Sequence, residues 1–160
     1  MSLRLVTVEW DDPRAAALRD AMNAETSAMY EVFTAGNSAE VNAAIDDALA
    51  VDAADIVHTV LALDGDEPVG HAALRPFERE LEVKKVFVTP TARGRGISRA
   101  LMLELEAVAR ERGVASLVLQ TGPLQVAAIA LYLSLGYEQI PAFGKYGVIA
   151  NALCYRKRLE

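Results

Sequence analysis

An internal disulfide is out of reach for this sequence, because its 160 residues include a single cysteine, Cys154. The sequence therefore carries no sign of adaptation to an oxidising compartment. Neither histidine lies near Cys154 in sequence, so a small buried hydrophobe in a late strand is a better reading of it than a nucleophile. No run of about 18 apolar residues occurs, and the N-terminus lacks a basic region followed by an apolar stretch and a cleavage site. These absences predict a cytoplasmic protein with no membrane partner. There is no run of Lys/Arg interleaved with aromatics, which argues against nucleic acid. His58 and His71 fall in different predicted strands with no neighbouring ligand at metal spacing, so no metal is expected. No linker, repeat or low-complexity segment divides the chain, and one domain over residues 1–160 is the expectation.

What is present is a globular composition, 52% hydrophobic and 24% charged. The net charge of −6 conceals an asymmetry. Residues 1–80 hold 5 Lys/Arg against 16 Asp/Glu, whereas residues 81–160 hold 11 against 6. A basic second half suits a polyanionic ligand such as a nucleotide cofactor, and an acidic first half suits a cation such as an amine. Taken singly, most of these charges fit an ordinary solvated surface equally well.

Hydrophobic periodicity predicts a mixed α/β chain. Leu3 to Glu9 reads as a strand, and Asp11-Asp12-Pro13 signals the start of a helix running to about Tyr30. After the break at Gly36-Asn37, Ser38 is placed to cap a second helix with Val41, Ile45, Ala48 and Leu49 on one face. Ile56–Leu63 and Pro68–Leu74 form a hairpin across Asp64-Gly65-Asp66-Glu67, and Leu81–Val88 is a third strand of that group. Ile97, Leu101, Leu105 and Val108 mark a helix ending at Gly113. A strand at Val114–Gln120, a helix from about Pro123 to Gly136, and two last strands, Tyr137–Ile140 and roughly Val148–Lys157, complete the order.

Between the strand ending at Val88 and the helix starting near Ile97 lies Arg93-Gly94-Arg95-Gly96. Glycines there allow backbone amides to approach a ligand, and unpaired amides at a helix start attract phosphate. Arg93, Arg95 and Arg99 add positive charge. A tight connection needs glycine without any ligand too, so the turn alone leaves both readings open. It lacks the Gly-Lys-Ser/Thr ending of a P-loop and the third glycine of a dinucleotide fold.

Glu82-Val83-Lys84-Lys85-Val86-Phe87-Val88-Thr89-Pro90, followed by Arg93-Gly94-Arg95-Gly96-Ile97-Ser98, resembles the acetyl-CoA signature of the GCN5-related N-acetyltransferase (GNAT) superfamily. Ser98 stands where that pattern has Gly or Ala. A second stretch, Gln125 to Tyr137 with Ala128-Ile129, Leu131-Tyr132 and Gly136-Tyr137, is similar to the family's other motif, with Gln125 for its asparagine and Tyr137 for its phenylalanine. The wording around both motifs looks like an uncharacterised bacterial subgroup. The resemblance implies a strongly bent mixed sheet of six or seven strands flanked by about four helices, with central strands splaying at Phe87 and Val88. It implies acetyl-CoA as co-substrate, held by Phe87, Val88, Arg93, Gly94, Arg95, Gly96, Ile97, Ser98 and Gln125, with no metal. It also implies acetyl transfer to a primary amine by direct attack in a ternary complex.

An amine must lose a proton before it attacks, and a departing thiolate benefits from gaining one. Glu82 is the candidate base by position on the strand feeding the turn, with Glu80 behind it. A strand surface charge paired with Lys84 is the competing account of Glu82. Tyr132 matches the family's acid residue for residue, although periodicity alone makes it a core tyrosine. Tyr30, Phe33, Phe143 and Tyr146 are candidates for walls of an acceptor pocket or for plain core and loop roles. A small amine or amino acid is the expected acceptor, with a protein N-terminus or lysine, or an inactive acyl-CoA-binding module, as alternatives. A homodimer is left open.

Overall fold

In a computed structural model, which describes residues 2–160, the elements follow the predicted order. Strand β1 (Leu3–Val8) leads to helices α1 (Pro13–Thr34) and α2 (Ala39–Leu49). Strands β2 (His58–Asp64), β3 (Glu67–Phe77) and β4 (Glu80–Val88) come next. Helix α3 (Ile97–Glu111), strand β5 (Ser116–Thr121), helix α4 (Val126–Ser134), and strands β6 (Glu138–Ile140) and β7 (Leu153–Arg158) complete it.

Local chemistry sets the boundaries. The Asp12 carboxylate accepts the Arg14 N–H at 2.9 Å with Pro13 in the first helical position, and Ser38 Oγ accepts the Val41 N–H at 3.2 Å. Several predicted boundaries move, and two of the shifts have a clear local cause. Helix α4 begins at Val126 rather than about Pro123, because Gly122 to Gln125 closes into a turn in which Gln125 Oε1 accepts the Gly122 N–H at 3.0 Å. The last strand begins at Leu153 rather than about Val148, because Gly144–Val148 winds into a 3-10 turn and Asn151 takes a positive φ of 62°.

All seven strands form one sheet in the order β1-β2-β3-β4-β5-β7-β6. Every neighbouring pair is antiparallel except β4 and β5. Alternation along β2 sends Val60 and Ala62 to the face packed by α3, and Leu61 and Leu63 to the face packed by α1. The larger core joins Ile97, Leu101 and Leu105 of α3 to Val83, Leu117 and Leu119, and the smaller one joins Ala15 and Leu18 of α1 to Phe87.

Strand β4 carries the irregularity that matters for the site. Its register against β3 shifts by one residue, so that Lys85 and Val86 together face Ala72, and Lys85 has a φ of 55°. This β-bulge reverses the alternation beyond it. Val83 faces the α3 core, and an uninterrupted strand would send Phe87 to the same side. Instead Phe87 packs with α1, and Val88 returns to the α3 side.

Candidate active site

The parallel pairing of β4 with β5 lasts for two residues, Leu81 opposite Leu117 and Glu82 opposite Val118. Past them the facing edges of the two strands have no strand partner and the sheet opens. The gap is a cavity of about 630 Å³, walled by Val86, Phe87 and Val88 on one side and Leu119, Gln120 and Thr121 on the other. Backbone donors and acceptors along such edges are available to an extended ligand, because a buried polar group left unpaired is costly.

At one end of the cavity stands the start of α3. Its N-cap is Gly96, with φ 77° and no side chain to cap the helix, so no side-chain cap engages the first-turn amides of Ile97, Ser98 and Arg99. A Cβ added at Gly94 or Gly96 meets no atom within 4 Å, yet both residues need the left-handed backbone that glycine takes freely. Gly94, Gly96, Ile97, Ser98 and Arg99 all border the cavity. An anion placed there meets the positive end of a 15-residue helix.

The arginines of the turn are engaged differently. Arg93 donates from Nε to the Val88 carbonyl at 3.0 Å and from Nη2 to both oxygens of Glu25 on α1, at 2.8 and 2.9 Å. Arg95 reaches Asp64 at 3.5 Å and does not border the cavity. Arg99 donates to Ser134 Oγ at 2.7 Å. Ile97 buries its side chain in the core, so only its backbone is available to a ligand.

Helix α1 spans the opening. Its first half packs on the sheet through Ala15 and Leu18, and its second half places Met22, Glu25, Thr26 and Met29 along the cavity. Two ties anchor it on opposite banks: Glu25 to Arg93 on the β4 side, and Tyr30 on the β5 side. Tyr30 Oη accepts the Leu124 N–H at 3.1 Å and lies 3.4 Å from Gln125 Oε1. Gly122 has no room for a side chain, since an added Cβ falls 1.9 Å from Tyr30 Oη.

Tyr132, the candidate acid, borders the cavity from α4. It is 6% exposed and packs among Tyr137 and Tyr155, with ring centroids 5.9 and 6.4 Å away. Burial raises its pKa well above the usual phenol value, so it holds its proton firmly. Glu82 lies elsewhere. It is 2% exposed, does not border the cavity, and sits on the side of the sheet where α2 and the 144–148 turn meet. Arg75, its cross-strand partner on β3, donates from Nε to Glu82 Oε1 at 2.8 Å and from Nη1 to the Ala50 carbonyl at 3.1 Å. Tyr146 donates a very short hydrogen bond to Glu82 Oε2. Lys84 Nζ donates to Tyr146 Oη at 2.8 Å and stands 3.8 Å from Glu82. Burial brings the Lys84 pKa down to about 8, partly opposed by Glu82.

The structure thus brings Phe87, Val88, Arg93, Gly94, Gly96, Ile97, Ser98, Gln125 and Tyr132 to one cavity, and leaves Glu82 and Arg95 off its wall. Of α1, sequence reasoning named Tyr30 and Phe33 as candidates but missed the residues that line the cavity, although Met22, Thr26 and Met29 recur at helical spacing and share a face. Glu80, the second candidate base, is tied to Arg156 at 2.7 and 2.8 Å and to Ser116 at 2.6 Å. Phe143 packs at a tilt against Phe77 and meets Tyr146 edge-on, with ring centroids 4.8 and 5.1 Å away. Among the described residues no group of three His, Cys, Asp or Glu is placed to hold a metal ion.

The acetyltransferase (GNAT) family pattern matches residues 17–137. Among curated proteins, an IAA acetyltransferase of Azospirillum brasilense is 47% identical over 78 residues, covering 49% of this chain and 51% of that protein. The chain spans about half the length of the curated relatives it matches. Among solved structures, a candidate acyl-CoA N-acyltransferase of Klebsiella pneumoniae superposes with a TM-score of 0.79 at 27% identity, covering 99% of this chain and 98% of the other. The PaiA N-acetyltransferase of Thermoplasma acidophilum, solved with coenzyme A, shares the fold with a TM-score of 0.68 at 15% identity, over 99% of each chain.

Proposed function

The chain belongs to the acetyltransferase (GNAT) family, and from that premise we propose that it transfers an acetyl group from acetyl-CoA to a primary amine of a small molecule or amino acid, by direct attack in a ternary complex. One observation carries the reading: the uncapped start of α3, the unpaired edges of β4 and β5, and the Tyr132 phenol all border one cavity. An extended ligand with a phosphate at one end fits that arrangement. The α3 amides and Arg93 take the pyrophosphate, and the β4 edge beyond the bulge takes the amides of the arm. When bound, acetyl-CoA supplies an activated acyl group as a thioester.

The residues of this chain then have separate tasks. A backbone amide near Val88, on the free edge of β4, donates to the negative charge developing on the acetyl oxygen. Tyr132 keeps its proton at neutral pH and gives it to the departing sulfur. Glu82, off the cavity wall and held by Arg75 and Tyr146, takes the proton of the amine through intervening water. The exposed apolar side chains of Met29, on the cavity wall, and Phe33, against the Tyr30 ring, support an amine carried on an apolar body.

The test is a thiol-release assay with acetyl-CoA against an amine panel, run beside calorimetry with CoA. Tyr132→Phe is expected to lower kcat by about 100-fold or more with CoA affinity retained. Unchanged turnover removes the acid assignment, and absence of both CoA binding and turnover removes the proposal.

A further inference from the structure

His71 on β3 is 0% exposed and has no part in the chemistry above, yet it makes two directed contacts. Its Nδ1 lies 2.8 Å from the carbonyl oxygen of Lys85, and its Nε2 lies 3.0 Å from Nη1 of Arg19 on α1. A carbonyl only accepts and a guanidinium only donates. The neutral ring with its proton on Nδ1 is therefore the one form that satisfies both. Arg19 is itself held, donating to the Trp10 carbonyl at 2.7 Å with its guanidinium 3.6 Å above the Trp10 ring. The Trp10 ring also meets the imidazole edge-on, with centroids 5.8 Å apart.

The carbonyl His71 grips belongs to the bulge. Lys85 is a non-glycine residue at φ 55°, a conformation that persists when surrounding contacts over-determine it. The bulge in turn decides which way Phe87 and Val88 face. Without it, Phe87 and Val88 exchange sides and the wall of the cavity is rebuilt.

We propose that His71 is a positioning residue for the acyl-CoA cleft, fixing the β4 bulge through its bond to the Lys85 carbonyl and so aiming Phe87 and Val88 into the gap between β4 and β5. The inference rests on the reading of that gap as the acyl-CoA site. Burial holds the imidazole pKa down to about 4, in keeping with the neutral form the geometry demands.

The experiment measures CoA affinity by calorimetry, and KM for acetyl-CoA against kcat, for His71→Ala in two backgrounds, the natural chain and Lys85→Gly. Glycine adopts a positive φ without strain, so the bulge no longer needs a clamp. In the natural chain His71→Ala is expected to weaken CoA binding and raise KM for acetyl-CoA by about tenfold, with a smaller change in kcat. In the Lys85→Gly background the same substitution should weaken binding by less than about threefold. His71→Asn, whose amide presents a donor near the Nδ1 position, should recover most of the affinity. Equal losses in both backgrounds, or an unchanged affinity in a folded His71→Ala protein, overturn the inference. If His71→Ala does not fold, His71→Phe keeps the bulk of the ring but lacks the Nδ1 donor: weaker CoA binding in the folded protein supports the clamp and unchanged binding overturns it. A natural chain that does not bind CoA overturns the reading of the cleft, and the inference with it.

Discussion

Replacing Gly122 by alanine puts a methyl group where the Tyr30 phenol now sits. The added Cβ would lie 1.9, 2.4 and 3.0 Å from Tyr30 Oη, Cζ and Cε1, its three nearest atoms. No flexible end can yield by a few tenths of an ångström here, so the ring must leave. With it go the hydrogen bond from the Leu124 N–H, the 3.4 Å contact with Gln125, and the packing against Phe33. One lost hydrogen bond and a displaced ring together destabilise the fold by about 2 kcal/mol. For a chain of this size that lowers Tm by roughly 4–8 °C. The sign changes when Tyr30 is already alanine. Gly122 does not occupy the left-handed region, so alanine there is unstrained and restricts the unfolded chain. In that background the substitution should be neutral or stabilising by about 0.5 kcal/mol. A double-mutant cycle on Gly122→Ala and Tyr30→Ala, followed by thermal and urea unfolding, should therefore give a coupling of about 2 kcal/mol. Equal effects of Gly122→Ala in both backgrounds would show that the Tyr30 contact is not what excludes a side chain, and that α1 is not tied to the β5 bank in this way.

Glu25→Gln frees Arg93 from its α1 partner and should tighten CoA binding about twofold at low salt, because both groups are partly exposed and the pair is weak. A calorimetric salt series should show the gain fading as ionic strength rises, and a loss of affinity would mean that Glu25 assists the cofactor. Gly96→Val forces a branched side chain to φ 77° at the start of α3 and should weaken CoA binding by about tenfold; unchanged affinity would place the phosphate elsewhere. His71, facing the charges of Arg19 and Lys85, has its pKa lowered from 6.5 to about 4, mainly by burial. The unfolded chain then binds more protons between those values, so this stability is present above pH 6.5 and lost as pH falls towards 4. The loss is about 3 kcal/mol, and it should be missing from the His71→Asn protein in urea titrations across that range. Glu82→Gln should lower kcat by about 100-fold with CoA affinity intact if the carboxylate takes the amine proton, and a loss only in proportion to the folded fraction would leave it a structural charge.

Much of the architecture was legible because its signals are local. Proline at 13, the capping side chains of Asp12 and Ser38, and the change of period at Ile97 each act within a few residues of the structure they produce. The cradle was legible for the same reason: Gly94 and Gly96 must be glycine because of their own backbone, whatever lies around them. Start points of α4 and β7 were misplaced where a side chain or a 3-10 turn ended the regular pattern, at Gln125 and at Gly144–Val148. Glu82 illustrates the other limit. Its place on a strand beside Lys84 was readable, and Lys84 does stand 3.8 Å from it, but both are buried rather than on the surface. Its occupation by Arg75 and Tyr146 depends on residues 7 and 64 positions away.

By itself, then, the amino-acid sequence determined the order of elements, the glycine turn at the head of α3, and the membership of Tyr132 in the helix that follows β5. Each of these follows from spacing, capping or backbone freedom within one segment. Only the tertiary structure decided that β4 and β5 part after two paired residues, that α1 bridges the gap through Glu25 and Tyr30, and that His71 grips the bulge from a neighbouring strand. Those features arise from register and from contacts between distant segments, which no local pattern encodes.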